Sequence, residues 1–390
     1  MSPMPVVLGS ERLLATGALK GKRVGVVSNP ASIDSRFQHI ARVIADAPDV
    51  TLAAIFGPQH GYRADVQDNM IETGHAQDPT RGVPVYSLYS ETREPTAKML
   101  DGLDVLVIDL QDVGSRIYTF VYTMANCLRA CKKHGVPVTV TDRPNPIGGH
   151  QMSGPTLRNG FESFVGQFPI PMQHGMTIAE LAQLFNDAFG IGADLTVVPM
   201  ENWDRRMYHE DTGLPWVMPS PNIPTVDAAV VYPGTVLFEG TNVSEGRGTT
   251  RPFELIGAPW VDAEALAARL TSYGLPGVHF RPAVFEPTFQ KHAKQACGGC
   301  QIHVLDRTTF RAVQTAIAVL VEIRAQNRAR FDWRPPPYEY EHTKLPIEIL
   351  AGSSELREQV EAGVPVQTIY ESWLPDVERF EATRKPFLLY

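Results

Sequence analysis

The chain has 390 residues, 43% of them hydrophobic, and a formal net charge of −8 at pH 7. A single core rarely grows past about 250–300 residues, so this length predicts two domains, and the apolar fraction excludes a disordered chain. With the balance acidic and the lysines and arginines scattered, no nucleic-acid partner is expected.

The first ten residues have neither a basic n-region nor a long apolar h-region, and no apolar run is long enough to span a bilayer. No membrane partner and a cytoplasmic location are therefore expected. Strands are predicted over 23–28, 51–56, 83–89, 104–110, 136–141 and 195–199. Several are continuous Val/Ile/Leu runs, the pattern of parallel strands buried on both faces. Helical patterns over 35–45, 116–134 and 177–189 lie between them, with Thr177 as N-cap and Glu180 completing a capping box. This alternation predicts an α/β fold with a Rossmann-like, doubly wound parallel sheet. The proline-rich tract 214–225 then excludes regular helix or central strand and reads as an ordered crossover. Beyond it a smaller α/β half is expected, with strands at 229–231, 278–285 and 301–305 and helices at 262–273 and 308–325. The tail from 346 is mostly helical in pattern. Domains are accordingly placed at 1–228 and 229–390.

The chemistry concentrates at predicted strand ends. After the second strand comes Gly57-Pro58-Gln59-His60-Gly61-Tyr62-Arg63-Ala64-Asp65, followed by Asp68 and Glu72. After the fourth comes Asp109-Leu110-Gln111-Asp112-Val113-Gly114-Ser115-Arg116, and after the fifth Asp142-Arg143-Pro144-Asn145-Pro146. In open α/β sheets ligands bind at the carboxyl ends of the strands, so these loops form a candidate rim. The second half adds a loop rich in small, acidic and basic residues, including Glu239, Asn242, Glu245, Arg247, Thr249 and Glu254. Carboxylates across a cleft suit glycoside hydrolysis, in which one acid protonates the leaving oxygen and a second group acts as base, nucleophile or charge stabiliser. No Gly-x-Gly-x-x-Gly follows the first strand, and no Walker lysine loop is present, so no nucleotide cofactor is expected. The histidines lack zinc-binding spacing, and Cys127 and Cys131 read as small apolar residues on a buried helix face, so no metal is expected.

These residues resemble the NamZ-type exo-β-N-acetylmuramidases of bacteria. The likeness rests on Ser28-Asn29-Pro30-Ala31, the 57–65 loop, Asp109 to Gly114, Asp142 to Pro146, His174-Gly175-Met176-Thr177, the 214–225 tract, the 239–254 loop and the tail from Thr383. It covers essentially the whole chain. It implies a hydrolase of peptidoglycan, a glycosidase that releases N-acetylmuramic acid from non-reducing ends, with a small glycan or muropeptide as substrate, no cofactor and a role in cell wall recycling. The candidate catalytic residues are Gln59, His60, Asp65, Glu72 and Glu245. The candidate substrate contacts are Arg63, Asp112, Arg116, Asp142, Asn145, Asn222, Asn242, Arg247 and Thr249, with Arg247 inferred from its charge to meet the lactyl carboxylate. One departure matters. The family's loop typically reads Gly-Pro-Glu-His-Gly, with that glutamate its presumed catalytic residue, and here the position is Gln59. An amide cannot serve as a general acid or base. Either another carboxylate does the work, or the chain binds muropeptides without cleaving them, or the glutamine is an engineered replacement. An exo-hexosaminidase for another N-acyl sugar is the further alternative.

Overall fold

The computed structural model describes residues 4–68 and 70–390. Among these, the larger sheet contains β1 (Arg23–Ser28), β2 (Thr51–Gly57), β3 (Ala76–Gln77), β4 (Pro84–Ser87), β5 (Val105–Asp109) and β6 (Val138–Thr141). The strands β7 (Ser153–Thr156) and β8 (Pro171–Gln173) form a separate antiparallel ribbon, and β9 (Leu195–Val198) completes the larger sheet in the order β3-β4-β2-β1-β5-β6-β9. All its pairings are parallel except β3 with β4. A second sheet of β10 (Leu255–Ala258), β11 (Val278–Phe285) and β12 (Cys297–Val304) is antiparallel, with β12 in the middle.

The composition of the strands explains this layout. Every residue of β5 and β6 is buried, and so is every residue of β1 after Arg23. Such strands have no solvent face, so they read as unbroken apolar runs. The chain builds outward from β1 through β2 to β4, then returns to β5 on the other side of β1 and continues to β6 and β9. The order reverses between β1 and β5, and the loops leaving the carboxyl ends near that reversal are where such sheets bind ligands. A single apolar cluster runs from Val27 and Phe56 in the larger sheet, through Ile256 and Ile302 in the smaller one, to Trp373 and Phe380 in the tail.

The expected strand at 229–231 is instead the middle of a helix, Val226–Thr235. Its short β-branched run carries no periodicity that separates a buried strand from a buried helix. The deciding signal is Thr225, whose hydroxyl accepts from the Ala228 amide at 3.1 Å and caps the helix start. This helix packs on Ala312–Gln326, and at Gly234 the two backbones are so close that a Cβ would lie 2.1 Å from the Ala312 carbonyl oxygen. The helical pattern at 35–45 is regular only from Ile40, where the His39 ring accepts from the Ala41 amide. The Thr177–Glu180 capping box forms, but the helix widens into a π turn over Leu184–Ala188. All four cysteines are buried free thiols. Among the described residues no helix is long and apolar enough to cross a membrane.

Candidate active site

The loop after β2 turns sharply back on itself. A Cβ at Gly57 would lie 2.5 Å from the Tyr62 amide nitrogen, and His60 and Gly61 take φ of +71° and +83°. This turn drives Gln59 and His60 into a cavity. The loop after β5 adds Ile117 to Phe120, the proline-rich tract adds Ser220, Asn222 and Ile223, and the second half adds Tyr232, Glu239, Arg247, Phe253, Tyr338 and Glu339. The cavity thus draws its walls from both halves of the chain.

Two carboxyl groups stand in this cavity in different electrical settings. Glu339 is 4% exposed. One of its oxygens accepts from the Gln59 amide at 3.1 Å and the other from the Tyr89 hydroxyl at 2.8 Å. Burial pushes the carboxyl up to about 7, against the pull of those two donors and with the charge of Glu239 adding to the rise. Glu339 is therefore a carboxylic acid that holds its proton near neutrality. Its backbone and that of Tyr340 sit at φ of +44° and +68°, a region that costs a non-glycine residue energy and persists only where the surroundings enforce it. Glu239, by contrast, is ion-paired: Arg247 lies 2.7 Å from one oxygen, and the Tyr338 hydroxyl donates to the other at 2.7 Å. A carboxyl group buried beside neutral donors and a second one held against a guanidinium give the cavity a candidate acid and a candidate charge stabiliser.

Behind Glu239 lies a buried charge cluster. Arg247 also reaches Glu245 at 3.1 Å, and the Lys291 ammonium donates to Glu245 at 2.7 Å and to the backbone carbonyls of Phe238 and Val243. Burial alone would raise the Glu245 carboxyl, but Lys291 and Arg247 hold it well below the usual carboxylate range. Burial likewise opposes the charge on Arg247, yet Glu239 and Glu245 keep its guanidinium firmly protonated. His60 donates from Nδ1 to the Val66 carbonyl at 2.7 Å, an assignment that follows because a carbonyl can only accept. Burial pushes this imidazole down to about 4, with Arg247 acting in the same direction, so the ring is neutral at pH 7. The Thr119 hydroxyl donates to the Gln59 carbonyl oxygen at 2.8 Å, which orients the amide so that its NH₂ faces Glu339.

Of the residues singled out in the sequence, Gln59, His60, Asn222, Glu239 and Arg247 line the cavity. Asn222 also donates to the Gln67 carbonyl, bracing the opening loop. Arg63 and Asp65 are exposed and line a separate depression with Thr73 and Asp78. Glu72 is exposed in an open groove beside Glu339. Four expected contacts lie outside the cavity lining and have internal partners. Asp112 accepts from the Gly114 amide and lies 3.1 Å from His174 Nε2. Arg116 is fully buried against the Leu350 carbonyl. Asp142 accepts from the Thr177 and Tyr390 hydroxyls and the Ala179 amide, anchoring the C-terminal residue. Asn145 spans the Met176 carbonyl and the Ile147 amide. Glu245, a catalytic candidate in the sequence, is buried behind the cavity and paired with Arg247 and Lys291. Asn242 and Thr249 spend their side chains on backbone groups of Arg330, Asp332 and Gly246. Arg143, grouped with the rim in the sequence, pairs with buried Asp109 at 2.8 Å.

Sequence reasoning missed Glu339, Tyr338 and Tyr89. A signal was present: Pro335-Pro336-Pro337 runs directly into Tyr338-Glu339-Tyr340. A proline run fixes an ordered loop, and a carboxylate between two tyrosines at its end is positioned by that loop.

Residues 24–227 match the family described as exo-beta-N-acetylmuramidase NamZ, N-terminal, and residues 230–390 match its C-terminal counterpart. The peptidoglycan beta-N-acetylmuramidase NamZ of Bacillus subtilis (strain 168) is 48% identical over 372 residues, covering 95% of this chain and 88% of that protein. A crystal structure of a DUF1343 family protein from Bacteroides fragilis aligns with a TM-score of 0.89 at 35% identity, covering 99% of both chains. A second DUF1343 family structure from the same organism aligns at 0.78 with 29% identity, again over 99% of both chains.

Proposed function

The chain belongs to the exo-beta-N-acetylmuramidase NamZ family, and from that premise we propose that it is an exo-acting glycoside hydrolase releasing N-acetylmuramic acid from non-reducing ends of peptidoglycan fragments. The observation that carries the mechanism is the pairing of a proton-holding Glu339 with an ion-paired Glu239 in one cavity. Glu339 gives its proton to the glycosidic oxygen as the bond from that oxygen to the anomeric carbon breaks. The bonding pair leaves with the oxygen, the carbon gains oxocarbenium character, and a water then bonds to that carbon and gives up a proton that restores the acid form of Glu339. Glu239, fixed by Arg247 and Tyr338, supplies negative charge to that state. The neutral His60 ring and the Gln59 amide position the substrate by hydrogen bonding. Arg247 already neutralises two carboxylates, so a lactyl carboxylate reaching it must share it with Glu239 and Glu245. A cytoplasmic setting, with small imported muropeptides as substrate, belongs to the same proposal and is tested by cell fractionation.

The direct test is incubation of the purified protein with a disaccharide carrying a non-reducing N-acetylmuramic acid. The reading expects free N-acetylmuramic acid and rejects an outcome in which none forms between pH 4 and 9. A second reading, a muropeptide binder without turnover, is favoured by Gln59 standing where the family resemblance puts a catalytic glutamate. Calorimetric binding with no released sugar would select it. Release of an N-acetylglucosaminide faster than a muramide would select another N-acyl sugar as substrate.

A further inference from the structure

The backbone around Glu339 forms a tight hairpin turn. Tyr338 and Glu341 exchange both of their backbone hydrogen bonds at 2.9 Å, which leaves Glu339 and Tyr340 as the central pair. Both take positive φ, a conformation such turns normally reserve for Asn-Gly. The turn also brings Tyr338 and Glu339 to the same cavity, although successive side chains of an extended backbone point to opposite sides. A fixed backbone does not fix the Glu339 carboxyl, which swings on a flexible stem. Its oxygens are held from outside the turn, by the Gln59 amide at 3.1 Å and the Tyr89 hydroxyl at 2.8 Å.

Tyr89 is itself held rigidly. Its side chain is fully buried. Its amide donates to Ser87 Oγ at 3.1 Å and its carbonyl accepts from the Thr73 amide at 2.9 Å, so the segment after β4 is pinned on both sides. The ring packs 5.5 Å from that of Phe164, and the Arg93 guanidinium lies over it at 4.7 Å. Burial, with the Glu339 carboxyl adding to it, pushes the phenol far above its ordinary range, so it stays a neutral donor. A phenol has a single proton to donate, and here it points to Glu339. When Glu339 gives its own proton to the glycosidic oxygen, this contact becomes a hydrogen bond to a carboxylate, which is shorter and about twice as strong. It therefore strengthens on the way to the transition state, and only such contacts raise kcat.

We propose that Tyr89 is the positioning residue of the acid: its hydroxyl aims the Glu339 carboxyl at the glycosidic oxygen and holds the carboxylate that remains once the proton has left. The proposal rests on the glycosidase reading above and adds to it the group that makes the acid competent. Glu339 also faces Glu239, Arg247, His60 and Tyr338 in the cavity. On its outer side it faces Glu72, Arg93, Glu162 and Tyr340, with Glu91 and Glu341 there paired with His75 and Lys344. Changes confined to the Tyr89 hydroxyl leave all of these in place.

Tyr89→Phe keeps the ring and its packing and removes the donor. It is expected to lower kcat for the muramyl-hexosamine disaccharide by about tenfold with KM unchanged. For 4-nitrophenyl β-N-acetylmuramide, whose leaving group needs no proton, kcat is expected to change by less than about twofold. Loss of a donor to the charged form also raises the Glu339 pKa, so the alkaline limb of the disaccharide profile moves up by about half a unit. 3-Fluorotyrosine placed at position 89 is a stronger donor of nearly the same shape and is expected to move that limb down. Lost packing does not produce opposite shifts from these two changes. Wild-type turnover with the limb unmoved in both variants, or with both substrates slowed equally, overturns the role of Tyr89 alone. Absence of any muramide turnover in the wild type, or an alkaline limb that survives Glu339→Gln, overturns the reading on which it rests. If Tyr89→Phe does not fold, the 3-fluorotyrosine profile decides.

Discussion

Glu339 keeps its proton because burial disfavours its charge more than two neutral donors favour it. That balance gives Gln59 a definite role. A glutamate at 59 would stand about 3.1 Å from Glu339, where two carboxylates cannot both ionise. The amide keeps the hydrogen bond without competing for the proton. Glu339→Gln preserves the shape and removes the acid, so kcat/KM for a sugar leaving group should fall by about 10²–10⁴-fold, and less for an aryl leaving group that needs no proton. The acid is competent when protonated, so wild-type activity should hold below about pH 7 and fall about tenfold per unit above it. Gln59→Glu should push Glu339 higher still and carry that alkaline limb upward by about one unit, read from the same pH profile. A limb that stays in place or moves down would contradict the assigned contact. This residue-level picture was only half legible in the sequence. Gln59 and His60 advertise themselves at a strand end, but Glu339 lies 280 positions away from Gln59, and no spacing rule connects them.

At the level of elements, legibility follows burial. β1 and β5 are readable because buried parallel strands leave an uninterrupted apolar run with turn residues at their ends. The helix Val226–Thr235 imitates a strand for the same reason: apart from exposed Asp227 it is buried throughout, and its centre is β-branched. Its partner helix Ala312–Gln326 sits against it at Gly234, where no side chain fits. Gly234→Ala forces the two helices apart, and a loss of about 1–3 kcal/mol is expected in urea unfolding. Unchanged stability would mean that the crossing is looser than the structure has it. The loop after β6 also looked like part of a ligand rim, because polar residues at a strand end serve capping and binding equally well. Here Asp142 is spent on Thr177, Ala179 and Tyr390, which ties the tail to the sheet.

The whole molecule brings its chemistry together by joining its halves. Gln59, Thr119 and Tyr89 come from the larger sheet's loops, and Glu239, Arg247 and Glu339 come from beyond the proline-rich tract. The quartet of buried Glu239, Arg247 and Glu245 with half-buried Lys291 fixes the second half's contribution, and removing one member leaves a charge without its partner. Lys291→Met should therefore cost about 3–5 kcal/mol in denaturant unfolding; a loss below about 1 kcal/mol would show that Arg247 alone satisfies Glu245. The central claim is that this assembly cleaves terminal N-acetylmuramic acid with Glu339 as its acid. The measurement that tests it most directly is the pH dependence of kcat/KM for the muramyl disaccharide in the wild type and in Glu339→Gln. The account predicts wild-type release of N-acetylmuramic acid that declines above about pH 7, and a variant whose residual rate lacks that limb. A variant with the wild-type rate and the same profile would contradict it.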